Sequence, residues 1–401
     1  MEKPTLIDLL KTTFYIGAIG YGGPANLALM KKTFVHEKEW ILEKDFMDAL
    51  SLSQILPGST GVALMGYLGF RLYRILGGIL IPLAFILPAT IAVMILSWAY
   101  FRFGSISFVQ ALFVGLRALV VALLVNATWM LGKSVFKKIT LQSVKVFVIA
   151  IVAFLGIFFF KINVVYLILI AGTLGFFFYY FTKEFEGEKT KGGEVLLSEP
   201  TVSSWKLLDT KDWSVLLTIA ALVTIGLLLP PVRDLIVSFV GIGLVAFGGG
   251  FTTVPLIQHQ VVDVHNWLTI KQFIDGIALG QVTPGPVLIT ATFVGYHVAG
   301  ILGALFATLS IFLVPIFSMV MLADIHAKIR NLKIMKVVVK GFLAGFIGLL
   351  VAVTLQFAFK SLVSWQAWLI FALAIVWFMI LKKNAVWAIV GTMVFSLLFI
   401  K

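Results

Sequence analysis

Long, nearly charge-free apolar stretches follow one another from end to end of this chain, and no other feature constrains its fold as tightly. A bilayer-spanning helix needs roughly 20 mostly apolar residues. Lipid also requires every backbone polar group to be satisfied internally, which leaves helices or closed barrels. The stretches are continuous rather than alternating, so helices are expected. With 61% hydrophobic and 12% charged residues, the chain has too little polar surface to coat a soluble domain of 401 residues. The fold class that follows is an all-α integral membrane protein.

The spans are expected at 6–30, 45–70, 76–101, 107–132, 144–160 and 163–181, then at 213–229, 234–256, 272–297, 300–323, 335–359, 362–381 and 385–400. These are about thirteen segments, arranged as six, one and six. Residues 182–212 carry mixed charge with Gly and Ser and read as a hydrophilic linker. Four units follow: an N-terminal repeat at 1–181, the linker at 182–212, an inverting helix at 213–233 and a C-terminal repeat at 234–401.

The repeat is legible at a constant offset of 227 residues, which pairs Trp40 with Trp267, Lys44 with Lys271, Phe46 with Phe273 and Asp48 with Asp275. The same offset pairs Gln54 with Gln281, Pro57 with Pro284, Gly58 with Gly285, Pro88 with Pro315, and Lys133-Ser134 with Lys360-Ser361. Equivalent spans are an odd number of crossings apart, so the second copy crosses in the opposite sense. The net charge of +13 is read as topology-setting loops rather than as a nucleic-acid surface. Arg71, Arg74, Lys133, Lys137, Lys138 and Lys145 in the first half, and Lys328, Arg330, Lys333, Lys336, Lys340, Lys382 and Lys383 in the second, fall on one side. They place the amino terminus inside and the carboxyl terminus outside. Residues 31–45 disagree, with Lys31, Lys32, Lys38 and Lys44 on the wrong side. A re-entrant hairpin formed by the first two spans would remove the conflict and keep the later parity. Met1–Lys11 has no small-residue cleavage site and reads as a cytosolic lead.

Inverted repeats place a transport site near the midplane, where helices are broken. Pro lacks an N–H and obstructs the preceding turn, and Gly permits unusual dihedrals. Breaks are therefore expected at Gly22-Gly23-Pro24, Pro57-Gly58, Gly248-Gly249-Gly250 and Pro284-Gly285. Helix starts at such breaks carry partial positive charge and unpaired N–H donors, which suits an anion. Asn26, Gln54, Ser59, Thr60, Thr252, Gln281 and Thr283 flank them with hydroxyl and amide groups. Arg117, in mid-span, is either an anion ligand or an arginine paired with a carboxylate or helix carbonyl. Asp48 and Asp275 read as first-turn carboxylates stabilised by the helix dipole, in preference to proton carriers. Thr269 and Gln272 have capping-box spacing. Trp98, Tyr100, Trp365 and Trp368 read as interfacial anchors, and Gly341 and Gly345 as a packing pair.

No metal spacing links the five histidines, and there is no cysteine. No Walker loop, Gly-x-Ser-x-Gly elbow or His-Glu-x-x-His occurs, so neither a cofactor nor an enzyme is expected.

At Tyr21-Gly22-Gly23-Pro24, Gln54-Ile55-Leu56-Pro57-Gly58, Gly66-Tyr67, Pro88 and Gly115-Leu116-Arg117, the first half resembles the chromate ion transporter family in its long two-domain form. Phe247-Gly248-Gly249-Gly250, Gln281-Val282-Thr283-Pro284-Gly285-Pro286 and Gly295-Tyr296 carry the likeness in the second half. The resemblance implies ion-gradient-driven export of chromate across the cytoplasmic membrane, with sulfate as a close analogue. One departure is Ser59, where such proteins often have a second proline, as at Pro286. The expected partners are the oxyanion, a coupled proton or counter-anion, the lipid bilayer and a second copy in a homodimer. A sulfate carrier, a membrane enzyme and a non-transporting scaffold stand as the rival readings.

Overall fold

The computed structural model describes residues 4–21, 23–54, 56–136, 141–180, 210–322 and 333–400. Gly22 and nearly all of the predicted linker lie outside them, as do Lys137, Lys138, Lys328 and Arg330. The described residues are helical throughout, apart from turns and one isolated backbone bridge. The first half contains α1 (Leu6–Ile19), α2 (Gly23–Lys31), α3 (Glu43–Ser53), α4 (Thr60–Phe103), α5 (Ser107–Val135), α6 (Leu141–Phe158) and α7 (Val164–Tyr179). After α8 (Thr210–Leu228) come α9 (Pro230–Val245), α10 (Thr253–Gln258), α11 (Ile270–Val282), α12 (Thr290–Leu322), α13 (Lys333–Ser361), α14 (Trp365–Ile375) and α15 (Ala385–Phe399).

Local chemistry sets these boundaries. Thr5 caps α1 by accepting the Asp8 N–H, and Asn163, Ser364 and Asn384 do the same for α7, α14 and α15. Prolines occupy the first positions of α9, where a missing N–H costs nothing. Thr269 and Gln272 close the expected capping box on α11. That box places Asp275 in the second turn, and Asp48 lies equally far into α3, so the first-turn reading of both residues is corrected.

The two halves follow the same order of elements, including their irregular ones. A π-helical turn at Lys32–Glu37 recurs at His259–Val264. α4 and α12 are each two helices folded on one another. The reversal lies at Tyr73 and Arg74 in α4 and at Ala299 and Gly300 in α12, with nearly identical dihedrals: φ 55, ψ −142 at Arg74 and φ 59, ψ −143 at Gly300. Gly69 and Gly77 meet backbone to backbone across the first reversal, and Gly295 and Gly303 across the second.

Contacts across the first half show which segments share a face. Arg71 lies 3.6 Å from Asp45, and the Tyr73 hydroxyl donates to the Pro4 carbonyl. The chain start, the 31–45 segment and the 71–74 reversal are therefore on one side. Each of the first two expected spans is two helices instead of one: α1 and α2, then α3 and the first limb of α4. The lysines of the discordant loop belong with the chain start, and two are paired there: Lys31 with Glu43 at 2.6 Å and Lys32 with Glu37 at 2.9 Å. Among the described residues, four helices are long and apolar enough to cross a bilayer, and five shorter apolar helices accompany them.

α4 packs on α12 at the centre, flanked by α1 on α4 and α9 on α12. The later helices exchange halves: α6 and α7 pack on α13, while α14 and α15 pack on α5. Gly341 and Gly345 let α13 approach Ala171 and Gly175 of α7, as the small-residue spacing predicts. Phe160, Leu228, Val363 and Trp387 stay exposed, the surface expected against lipid. Trp98, Trp365 and Trp368 are exposed as well, but Tyr100 turns inward, for the reason given below.

Gly300 has open space where a Cβ would project, so only its backbone angles oppose a side chain. Gly300→Ala is expected to cost about 1–3 kcal/mol, read as a lower thermal unfolding midpoint in detergent. Gly241→Ala, in regular helix with equally open space, is expected to hold or slightly raise that midpoint, because helical glycine is about 0.5–1 kcal/mol less favourable than alanine.

Candidate functional site

The four predicted breaks meet in one place. After Gly20 the chain leaves α1 and resumes at Gly23; after Ala246 it leaves α9 and resumes at a short turn, Gly250–Thr252. Between α3 and α4, and between α11 and α12, the Pro-Gly pairs open the backbone. The breaks then satisfy one another. The Gly58 N–H donates to the Ala246 carbonyl at 2.7 Å, and the Gly285 N–H donates to the Gly20 carbonyl at 3.1 Å. Tyr21 pairs alongside Gly285. Gly250 lies against Val287, which joins the two breaks of the second half.

Both Pro-Gly glycines need their missing side chain. Gly58 has φ 100 and Gly285 φ 133, where L-residues are strained. A Cβ on Gly58 would lie 2.8 Å from Pro315, and one on Gly285 would lie 2.7 Å from Ala89. Each break therefore rests on the long helix of the opposite half, beside its internal proline.

Helix starts at the ring remain open. Ser59 precedes α4 without capping it, and Pro286 precedes the turn Val287–Ile289 likewise. Gly249, at φ 102, precedes the Gly250–Thr252 turn, also uncapped. Ser59 and Thr283 are buried, Thr60, Gly249 and Gly250 are half-buried, and Gln281 borders the ring at the end of α11. Thr252 spends its hydroxyl inside the break, on Phe247 and Gly249 carbonyls at 2.7 and 2.6 Å. Thr283 points its hydroxyl back to Leu279 and Gly280 at 3.3 Å. Asn26 is buried against Gly20 with its Oδ1 unpartnered. Gln54 ends α3 exposed, as does Gly248 at its break. Gly22 is outside the described residues, and only the backbone of Gly23 and Pro24 is described.

Arg117 is the predicted residue that lies apart. Its Nε and Nη2 donate to both oxygens of Asp275, at 2.6 and 2.8 Å, and the Tyr100 hydroxyl adds a bond of 2.7 Å to the same carboxylate. Asp275 is completely buried. From Asp275 to Thr283 is about 12 Å along α11, at 1.5 Å per residue. Of the two readings of Arg117, the carboxylate pairing is the one present. Sequence reasoning missed Tyr100 and this role of Asp275. The capping box held the signal, because it sets the start of α11 and so excludes Asp275 from the first turn. Among the described residues, no cluster of three metal-ligating side chains occurs.

Long apolar helices around a ring of breaks define a multi-pass membrane protein. Comparison with known proteins specifies the class. The chromate transporter family model matches residues 7–176 and 233–397, so the chain belongs to that family, which is one of transporters and not of enzymes. An uncharacterized transporter of Methanocaldococcus jannaschii is 34% identical over 391 residues, 96% of this chain and 92% of that protein. A chromate transport protein of Cupriavidus metallidurans is 32% identical over 90% of this chain and 84% of its own length. One from Pseudomonas aeruginosa is 31% identical, over 85% and 78%. No solved structure matches.

Gly58→Ala is expected to destabilise by at least about 1–3 kcal/mol through backbone strain alone, with the Pro315 contact adding to it. Thermal unfolding measures the loss, and Gly285→Ala is expected to reproduce it.

Proposed function

We propose that this protein is a secondary transporter that exports chromate across the cytoplasmic membrane by alternating access. The two halves act as inverted repeats, the amino terminus lies inside and the carboxyl terminus outside. Nine helices cross: the second limbs of α4 and α12 with α5, α6, α7, α8, α13, α14 and α15. The four broken segments are re-entrant, so the thirteen expected segments become nine crossings and four returns. α8, which overlaps the expected inverting helix at 213–233, inverts the second copy. A run of about 20 apolar residues looks alike whether it passes through or returns, which is why a sequence count overstates crossings.

The observation that carries this reading is the meeting of four breaks, with uncapped helix starts, inside a chain whose relatives are named chromate transport proteins. A tetrahedral dianion needs many donors and little volume. Backbone N–H groups at Gly23, Thr60, Gly61, Gly250 and Leu288 supply donors without adding a full positive charge. That leaves binding reversible, as transport requires. Asn26, Ser59, Thr60, Gln281 and Thr283 add side-chain contacts, while Gln54, Thr252 and the glycines and prolines of the breaks shape the backbone. Arg117 acts from a distance through the field and packing of its pair with Asp275. Rocking of one half against the other exposes the ring alternately to each side.

Flux into proteoliposomes tests this. Saturable chromate movement with sulfate as a weaker competitor is expected; sulfate flux without chromate flux would replace the substrate and keep the architecture. Ser59→Ala is expected to weaken the apparent affinity for the oxyanion by about tenfold, the loss of one hydrogen bond to a charged group.

A further inference from the structure

An apolar slot lies beside the 71–74 reversal, away from the ring of breaks. Ile75 and Ile79 of α4, Leu216 of α8, and Phe317, Val320 and Met321 of α12 line a cavity of about 70 Å³. Ile75 opens the second limb of α4, Met321 is one residue from the end of α12, and Leu216 is in the second turn of α8. Three element ends therefore surround the slot at one face of the protein. Gly78 closes α4 onto α12 there, since a Cβ on it would lie 2.7 Å from Val320. From Ile75 to Ile79 is about 6 Å along the helix, at 1.5 Å per residue. The slot thus runs about one turn into the apolar layer.

Water has no hydrogen-bond partner among these side chains, so an apolar occupant is favoured. Met321 and the neighbouring Leu217 are 52% and 64% exposed, on a surface that faces hydrocarbon in a membrane. The occupant at hand is a lipid tail.

The head of the slot says which lipid. Arg74 immediately precedes Ile75, and its φ of 55 and ψ of −142 are angles at which the second half carries Gly300. An L-residue held at such angles is strained, and strain of this kind points to a use for the side chain. Arg71, three residues earlier, lies loosely against Asp45 at 3.6 Å. Guanidinium groups match phosphate oxygens in bidentate fashion. Under the proposed orientation this face is cytoplasmic, where anionic lipids gather and basic pockets between helices take their head groups. The second half repeats neither part of the arrangement: a glycine replaces the arginine, and α8 falls between the two regions that match the family model.

We infer that the slot between α4, α8 and α12 binds one anionic phospholipid of the cytoplasmic leaflet. The upper part of an acyl chain lies along Ile75 and Ile79, and the phosphate meets Arg74 and Arg71. The bound lipid fastens α8 to the two long helices at the centre of the fold. This rests on the proposed orientation and not on the transported ion.

The full chain in a neutral detergent is titrated with phosphatidylglycerol and, separately, with phosphatidylcholine of the same acyl chains. The thermal unfolding midpoint is the readout, and each variant is compared with its own lipid-free midpoint. Phosphatidylglycerol is expected to raise the midpoint saturably, and phosphatidylcholine to do so with about tenfold weaker apparent affinity, the loss of one interaction with a charged group. Arg74→Gly installs the residue that the second half uses at the same angles, so it is expected to fold and to lose the preference for phosphatidylglycerol. Leu216→Phe fills the slot and keeps every charge; it is expected to weaken both lipids. Glycerol phosphate, a head group without tails, is expected to leave the midpoint where it is. No rise with phosphatidylglycerol, or an equal response to both lipids, would overturn the proposal. An undiminished response in Leu216→Phe would do the same, by showing diffuse attraction to a chain of net charge +13. A rise with glycerol phosphate would replace the lipid by a soluble anion. Chromate flux plays no part in these readings, so a failed substrate assignment shows in the flux assay alone.

Discussion

Everything in this structure turns on the cost of an unsatisfied backbone group in lipid. A helix that stops at mid-membrane leaves up to four N–H or C=O groups without partners, each costing several kcal/mol in hydrocarbon. Four helices stop in this core, an arrangement that no one of them could sustain alone. The cross-pairing of Gly58 with Ala246 and of Gly285 with Gly20 answers part of that cost. Each half completes the other's break, so neither ring segment is stable without its counterpart. Each of these bonds spends one N–H group and one C=O group, and the starts of α4 and of the Val287–Ile289 turn carry no side-chain cap.

Much of this was written in the residues. Pro57-Gly58 and Pro284-Gly285 mark breaks because proline and glycine act on their own backbone, within one turn. The 227-residue register survives for the same reason: each matched residue answers to local geometry that both halves share. The folding-over of α4 escaped such reading. Arg74 occupies the backbone angles that Gly300 occupies in the second half, so one copy shows the expected glycine and the other an arginine. The lysines of 31–45 stood out only as a conflict, and the Asp45–Arg71 contact places that segment beside the 71–74 reversal. The pairing of Arg117 with Asp275 was beyond reach, because 158 positions separate the partners and no local rule joins them.

The pair also joins the two halves at an energetic cost. Burying two charges gains little over apolar packing, whereas removing one partner typically costs about 3–5 kcal/mol. A cluster with that profile is a poor way to strengthen a fold and an effective way to fix which helices lie against one another. Its bidentate geometry adds direction, since both guanidinium donors must leave together.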